Sequence, residues 1–329
     1  MNRFVFTCGD TNGIGPEIVI KTLNRVAKNS RDNFSFICPE NIFADAAKII
    51  TPKFQYEITD RFSSSPRNVV SVISQGKFKK LTGKPTEDSG EAAFKSIELS
   101  GKLAVSKQVD AVITAPISKT AIKIAGHNFP GHTEMYAKWS GVKYFVMMFL
   151  SAKMNAALAT IHEPINKVPS LLTGISLEKN IEIILNTLKI DLQIKQPKIA
   201  VLGLNPHAGE GGLIGTEELN IIKPVISSKG FKKYLNGPYS PDAFFANNLY
   251  KNYDLVLGMY HDQVLIPFKM INFGAGVNYT AGLPIVRTSP DHGTAFDIAW
   301  KNLASESSML QAFYYAKQIV RNRNKFYAA

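Results

Sequence analysis

Leu255-Val256-Leu257-Gly258-Met259-Tyr260 runs straight into His261-Asp262. An apolar run without alternation reads as a strand covered on both faces, as in a parallel sheet flanked by helices. Two other segments repeat the arrangement. Ala156-Ala157-Leu158-Ala159-Thr160-Ile161 runs into His162, and Ile199-Ala200-Val201-Leu202-Gly203-Leu204 runs into Asn205-Pro206-His207. In open α/β sheets ligands bind beyond the carboxyl ends of the strands, which is where all three imidazoles fall. Neutral imidazole is the commonest metal ligand, and three of them leave an open position on a divalent ion. Separations of 45 and 54 residues exclude a local zinc motif. A site of this kind is assembled by the fold, with assembly across subunits included; the alternative is three ordinary loop histidines. Asp262 is placed either to orient a ligand or to hold a substrate hydroxyl, or else is a plain strand-end turn residue.

Outward from these three, the same alternation covers the chain. Further strands are expected at 4–8, 34–38, 69–73, 111–115, 144–150 and 285–288. Helices are expected at 17–28 behind Pro16, and at 91–107, 177–188, 217–228 and 303–321. Residues 63–66 and 83–86 read as loops. Strands alternating with helices imply an α/β protein with a largely parallel sheet. A length of 329 residues fits about two domains, although no linker-like composition divides them.

Composition removes several function classes. At 45% hydrophobic residues the chain is not disordered, and its longest apolar run, 144–150, is far short of a membrane span of ~20 residues. The net charge of +12 raises nucleic acid as a partner, but only eight of the 38 cations are arginine and the lysines are scattered. Neither arginine clusters nor aromatic stacking platforms are visible, so a lysine-rich surface is the expectation, with no nucleic-acid partner. Two cysteines, Cys8 and Cys38, lie in strand-like segments and read as buried thiols of a cytoplasmic protein.

Several segments suit an anionic ligand. Gly9-Asp10-Thr11-Asn12-Gly13-Ile14-Gly15-Pro16-Glu17 follows the first strand and opens the first helix, but Asp10 and Glu17 work against a tightly held phosphate. This run, like 209–215, misses the dinucleotide fingerprint of glycines. Lys269, Asn278, Arg287 and His292 crowd the stretch 261–297, and Arg287 closes an apolar run where a cation needs a partner. That partner is either an anionic ligand or a structural ion pair. Gly131-His132-Thr133-Glu134 precedes a helix expected near Met135, where His132 or Thr133 either caps the helix or meets a ligand.

Taken in order, the segments at 9–17, Thr114-Ala115-Pro116-Ile117-Ser118-Lys119, 131–134, 203–212, Asn236-Gly237-Pro238 with Pro241-Asp242, 259–263, and Arg287-Thr288-Ser289-Pro290-Asp291-His292-Gly293-Thr294-Ala295 resemble the 4-hydroxythreonine-4-phosphate dehydrogenase family of vitamin B6 biosynthesis. The resemblance extends from the first strand to about residue 300. It implies a homodimer with a two-domain, isocitrate/isopropylmalate dehydrogenase-like fold and an active-site cleft between the domains. On that fold 1–128 plus 272–329 form the cofactor-side domain, and 129–271 the metal, substrate and dimerisation domain. The family's metal ligands match His162, His207 and His261, which would hold one divalent ion per subunit (Zn, Mg, Co or Mn) with ligands drawn from both subunits. Its substrate contacts match His132, Thr133, Lys269, Asn278 and Arg287. Asp242, Asp262 and Lys269 are the candidates for the catalytic base.

The implied reaction is oxidation of the C3 hydroxyl of 4-phosphooxy-L-threonine by NAD or NADP, followed by decarboxylation to 3-amino-2-oxopropyl phosphate. A relative acting on another phosphorylated hydroxy acid, such as a tetronate phosphate, is the alternative, with a metal-dependent hydrolase ranked behind it. His292, Gly293, Thr294 and Asp297 resemble the adenosine loop of the wider dehydrogenase superfamily. That loop usually continues with Gly-Lys-Gly, whereas this chain has Trp300-Lys301-Asn302.

Overall fold

A computed structural model of the chain describes residues 1–28, 30–62, 68–272 and 274–328. The loop expected at 63–66 therefore lies outside the described residues. Among those described, twelve strands run in chain order: β1 (Arg3–Thr7), β2 (Asn33–Ile37), β3 (Gln55–Thr59), β4 (Val69–Ile73), β5 (Ala111–Thr114), β6 (Val146–Leu150), β7 (Ala156–Leu158), β8 (Ile199–Leu202), β9 (Leu235–Tyr239), β10 (Leu255–Gly258), β11 (Val277–Ala281) and β12 (Val286–Pro290). The chain divides into two compact units, one of 1–143 with 283–320 and the other of 144–282 with 321–329. Their boundaries fall at 143/144, 282/283 and 320/321, where the sequence reading drew two, at 128/129 and 271/272.

In the first unit the strand order is β3-β4-β2-β1-β5-β12, and every pair is parallel. Phe4, Phe6 and Phe34 project from β1 and β2 onto Phe313 of the helix Ser307–Ala328, with ring centroids 5.1 to 6.1 Å from Phe313. Burying each such ring contributes roughly 1.5–3 kcal/mol. Pro16 stands in the first turn of the helix Gly15–Val26, where its missing N–H has no intrahelical partner to lose. Thr86 and Ser89 form a reciprocal capping box at the start of Glu87–Val105.

In the second unit the order is β11-β6-β7-β10-β8-β9. β6 runs antiparallel to both β11 and β7, and the pairs β7–β10, β10–β8 and β8–β9 are parallel. Phe149, Leu158, Leu202, Val256 and Phe268 lie together in its core. Asp191 ties down the chain's end: its carboxylate accepts from Tyr279 Oη at 2.5 Å and Arg323 Nε at 2.7 Å, and its carbonyl accepts from Asn322 Nδ2 at 2.7 Å.

All nine expected strands form, all but β4 with shifted ends. β3, β9 and β11 were not expected, each for a local reason. β3 is an edge strand with exposed side chains, β9 is an edge strand containing Gly237-Pro238, and β11 mixes Asn278 and Thr280 among apolar residues. The helix expected at 217–228 is broken into a wide turn, Glu218–Ile222, and a short helix, Lys223–Ser227. The last helix begins at Ser307 rather than 303 and runs to Ala328. The residues before it are held as a loop, since Lys21 Nζ donates to the carbonyls of Asn302 and Ala304 at 3.1 and 2.6 Å. No helix among the described residues is long and apolar enough to cross a membrane. Cys8 and Cys38 are buried and free.

Candidate active site

In the second unit β10 lies between β7 and β8, so the three histidine-bearing strand ends are neighbours. β7 and β10 are direct neighbours, so the residues just beyond their carboxyl ends come together: the rings of His162 and His261 lie 5.4 Å apart, centroid to centroid. His261 is the first residue of the helix His261–Ile271. Its Nδ1 lies 2.7 Å from Asp262 Oδ1. Because a carboxylate only accepts, Nδ1 carries the proton and the lone pair is left on Nε2, the arrangement of an oriented metal ligand. His162 sits in the left-handed region at φ +51°.

His207 lies beyond β8, the other neighbour of β10. It opens five consecutive residues, 207–211, with φ between +42° and +80°. A run of left-handed backbone is costly for residues bearing a Cβ. Glu218 holds its approach: buried, it accepts the backbone N–H of both Leu204 and Asn205 at 2.7 Å through Oε1. His207 lines a cavity of about 350 Å³ with Asp242, Tyr260 and Gln263. Gln263 spans the two strand ends, accepting from Met259 N and donating to Gly203 O at 2.7 Å each. Hydrogen bonds from Ser240 and the Ala243 N–H, with His207 nearby, hold the Asp242 carboxyl below its ordinary range. Among the described residues no three His, Cys, Asp or Glu side chains are gathered closely enough to hold a metal ion. The donor chemistry of the oriented imidazole suits such an ion, but a full ligand set is not formed within these described residues.

Two of the remaining predicted residues lie elsewhere in this unit. Lys269 is exposed in the last turn of the helix that His261 opens, eight residues on and so roughly 12 Å along its axis. Asn278 lies on β11, and its Oδ1 is enclosed without a hydrogen-bond partner.

In the first unit a cation is built into the sheet. Arg287, on β12, is only 2% exposed, and its Nε and Nη2 donate to Thr114 Oγ1 on neighbouring β5 at 3.0 and 2.6 Å. Burial pushes its pKa down to about 10, while Tyr136 and Glu134 work in the opposite direction. The guanidinium is therefore still charged at neutral pH. His132 and Thr133 open the helix His132–Trp139, whose N-cap is Gly131 with no side-chain cap. Of the two alternatives for these residues, capping is not taken: they occupy the first two helical positions. Burial, and then the nearby Arg287, hold His132 well below the usual imidazole range, and its enclosed Nε2 has no hydrogen-bond partner. A buried guanidinium, a neutral imidazole and a helix N-terminus are groups suited to an anion.

The segment 292–297 is irregular and lies against the first glycine-rich loop. Ile14 N–H donates to Thr294 O at 3.0 Å, and a Cβ on Gly13 would come within 2.8 Å of that same oxygen. Gly13 is thus required by close approach. His292 Nδ1 lies 3.1 Å from Gly293 O, and Asp297 O accepts from Lys301 Nζ at 2.7 Å. Burial raises the Asp10 carboxyl to about 6, although Asn12 N–H donates to it at 2.9 Å.

Residues 30–316 match the sequence model of the pyridoxal phosphate biosynthetic protein PdxA. The chain belongs to the PdxA family. A 4-hydroxythreonine-4-phosphate dehydrogenase of Desulforapulum autotrophicum is 38% identical over 318 residues, covering 94% of this chain and 93% of the relative. A D-threonate 4-phosphate dehydrogenase of Salmonella typhimurium is 37% identical over 321 residues, covering 95% and 97%. The crystal structure of 4-hydroxythreonine-4-phosphate dehydrogenase from Klebsiella pneumoniae is 35% identical with a TM-score of 0.81, covering 97% of this chain and 98% of that one. Membership makes this chain an oxidoreductase of the pyridoxal phosphate biosynthetic family.

Three residues that support this PdxA-family site escaped sequence reasoning. Thr114 anchors Arg287, Glu218 holds the approach to His207, and Gln263 bridges two strand ends. Thr114 and Gln263 stand inside segments already singled out, but only the strand pairing assigns them a partner. Glu218 carried no signal beyond a place in an expected helix.

Proposed function

We propose that this chain is a metal-dependent NAD(P) dehydrogenase of the cytoplasm. It oxidises the C3 hydroxyl of 4-phosphooxy-L-threonine, and the resulting β-keto acid loses carbon dioxide to give 3-amino-2-oxopropyl phosphate. The observation that carries this reading is the pair His162 and His261 at adjacent strand ends, with Asp262 orienting His261. When bound, a divalent ion (Zn, Mg, Co or Mn) at the histidines supplies Lewis-acid polarisation of the hydroxyl, and a nicotinamide supplies the hydride acceptor. His207 completes the histidine set in a homodimer whose subunits share the ligands.

The chain's own groups divide the remaining work. Arg287 binds an anionic end of the substrate, with Thr133 and the helix N-terminus at its side. His132 stays neutral beside that guanidinium, so it hydrogen-bonds without adding a second positive charge. The enclosed, unpartnered Asn278 Oδ1 fits a donor such as the substrate's ammonium or hydroxyl group. Asp242, Asp262 and Lys269 are the candidates for the proton acceptor, and Asp262 also orients His261. His292, Gly293, Thr294 and Asp297 contact the dinucleotide.

A second reading, oxidation of D-threonate 4-phosphate, is favoured by the 37% identity to a dehydrogenase of that name. Absorbance at the reduced-nicotinamide band tests both. Purified protein is given each substrate with NAD or NADP, with and without a chelator. A rise with 4-phosphooxy-L-threonine that chelator abolishes and divalent metal restores is the expected result. A rise with D-threonate 4-phosphate alone transfers the assignment to the second reading, and a flat trace with both overturns both substrate assignments.

A further inference from the structure

Glu17 is fully buried, yet both of its carboxylate oxygens are engaged by backbone of one distant loop. Oε2 accepts the Trp300 N–H at 2.6 Å and Oε1 accepts the Asn302 N–H at 2.8 Å. Both residues occupy the left-handed region, Trp300 at φ +63° and Asn302 at φ +58°. Asparagine visits that region with some ease, but a bulky tryptophan there is an outlier that its surroundings must hold. The surroundings do so on every side. Trp300 Nε1 donates to Thr11 O at 3.0 Å, and Lys80 Nζ stands 3.7 Å from the centre of the indole ring. Between the two clamped amides, Lys301 reaches back to Asp297 O at 2.7 Å.

A carboxylate that accepts two N–H groups one residue apart selects the backbone conformation that points both at it. We infer that Glu17 is a positioning residue: it sets the left-handed turn at 300–302 and, through Lys301 and Asp297, the shape of 292–297 for the dinucleotide. The two side chains standing at 300 and 302 are tolerated because Glu17 holds their backbone. The inference rests on the assignment of 292–297 to a nicotinamide dinucleotide. Glu17 itself touches no reacting atom.

The test uses the full-length protein with Glu17→Gln, alone and combined with Trp300→Gly and Asn302→Gly. Glycine adopts the left-handed conformation without support, so it replaces the need for the clamp rather than the bond. Loss of one charge-assisted bond is worth about tenfold. Glu17→Gln should speed amide exchange at Trp300 and Asn302 and raise the dinucleotide KM about tenfold, with kcat within about twofold. The added glycines should return most of the KM. Tryptophan emission, read in a Trp139→Phe background that leaves Trp300 alone, should shift in Glu17→Gln. If that variant does not accumulate, Glu17→Asp keeps the charge but shortens the reach, and the same order of effects is expected. Unchanged exchange and KM, or a KM change that glycine does not rescue, overturns the inference. Altered exchange with no change in dinucleotide KM also overturns it. A wild-type protein that uses no dinucleotide instead sinks the functional reading beneath it, while exchange and emission still report on the clamp.

Discussion

Replacing Arg287 by methionine should make the folded protein more stable and the enzyme worse. Burial lowers the guanidinium pKa from its ordinary value to about 10. At about 1.4 kcal/mol for each tenfold change in proton affinity, the fold carries about 3 kcal/mol of destabilisation from that charge. The group is protonated at any pH below about 10, so the penalty applies throughout the neutral range. Methionine fills similar length without charge but abandons the hydrogen bonds to Thr114 Oγ1, at a loss of about 1 kcal/mol. The net expectation is a gain of roughly 2 kcal/mol in unfolding free energy, measured by urea denaturation near neutral pH. Substrate binding moves the other way. Losing a pair of charge-assisted bonds to an anion should raise KM by roughly 100-fold or more. An Arg287→Met protein that is less stable by more than about 1 kcal/mol, with KM unchanged, would show that the guanidinium is a structural group and not a substrate ligand.

Two further outcomes are expected. Asp262→Ala removes the acceptor 2.7 Å from His261 Nδ1 and should weaken divalent-metal binding about 10–100-fold in titration calorimetry, whereas unchanged affinity would remove Asp262 from the site. Asp10, raised from 3.8 to about 6, contributes stability that is full below about 3.8 and lost as the pH climbs through 6. Asp10→Asn should therefore stabilise by up to about 3 kcal/mol at pH well above 6 and by almost nothing near 3.8; equal effects at both ends would show that the Asp10 carboxyl is not desolvated.

The parts of the fold that could be read directly are those where burial dictates residue type. β4 forms over 69–73 as expected because a strand covered on both faces must be apolar throughout. β3 and β9 were invisible for the converse reason: an edge strand is half in water and its composition is free to resemble a loop. The same logic applies to the site. A histidine after a two-face-buried strand is conspicuous, and so is an arginine after an apolar run. Glu17 looked like a poor neighbour for a phosphate, and its actual engagement with backbone 283 and 285 residues away has no local signature.

Apolar periodicity and ordered motifs were enough to establish an α/β chain of this family, because they express short-range requirements of burial and turn formation. Which strands lie side by side is a long-range outcome of packing. That outcome put His162 beside His261 and left His207 with Asp242, buried Arg287 against Thr114, and brought a carboxylate from the first helix to two left-handed residues near the chain's other end. Partners chosen across such separations depend on the geometry of the whole sheet, and no local pattern of residues encodes them.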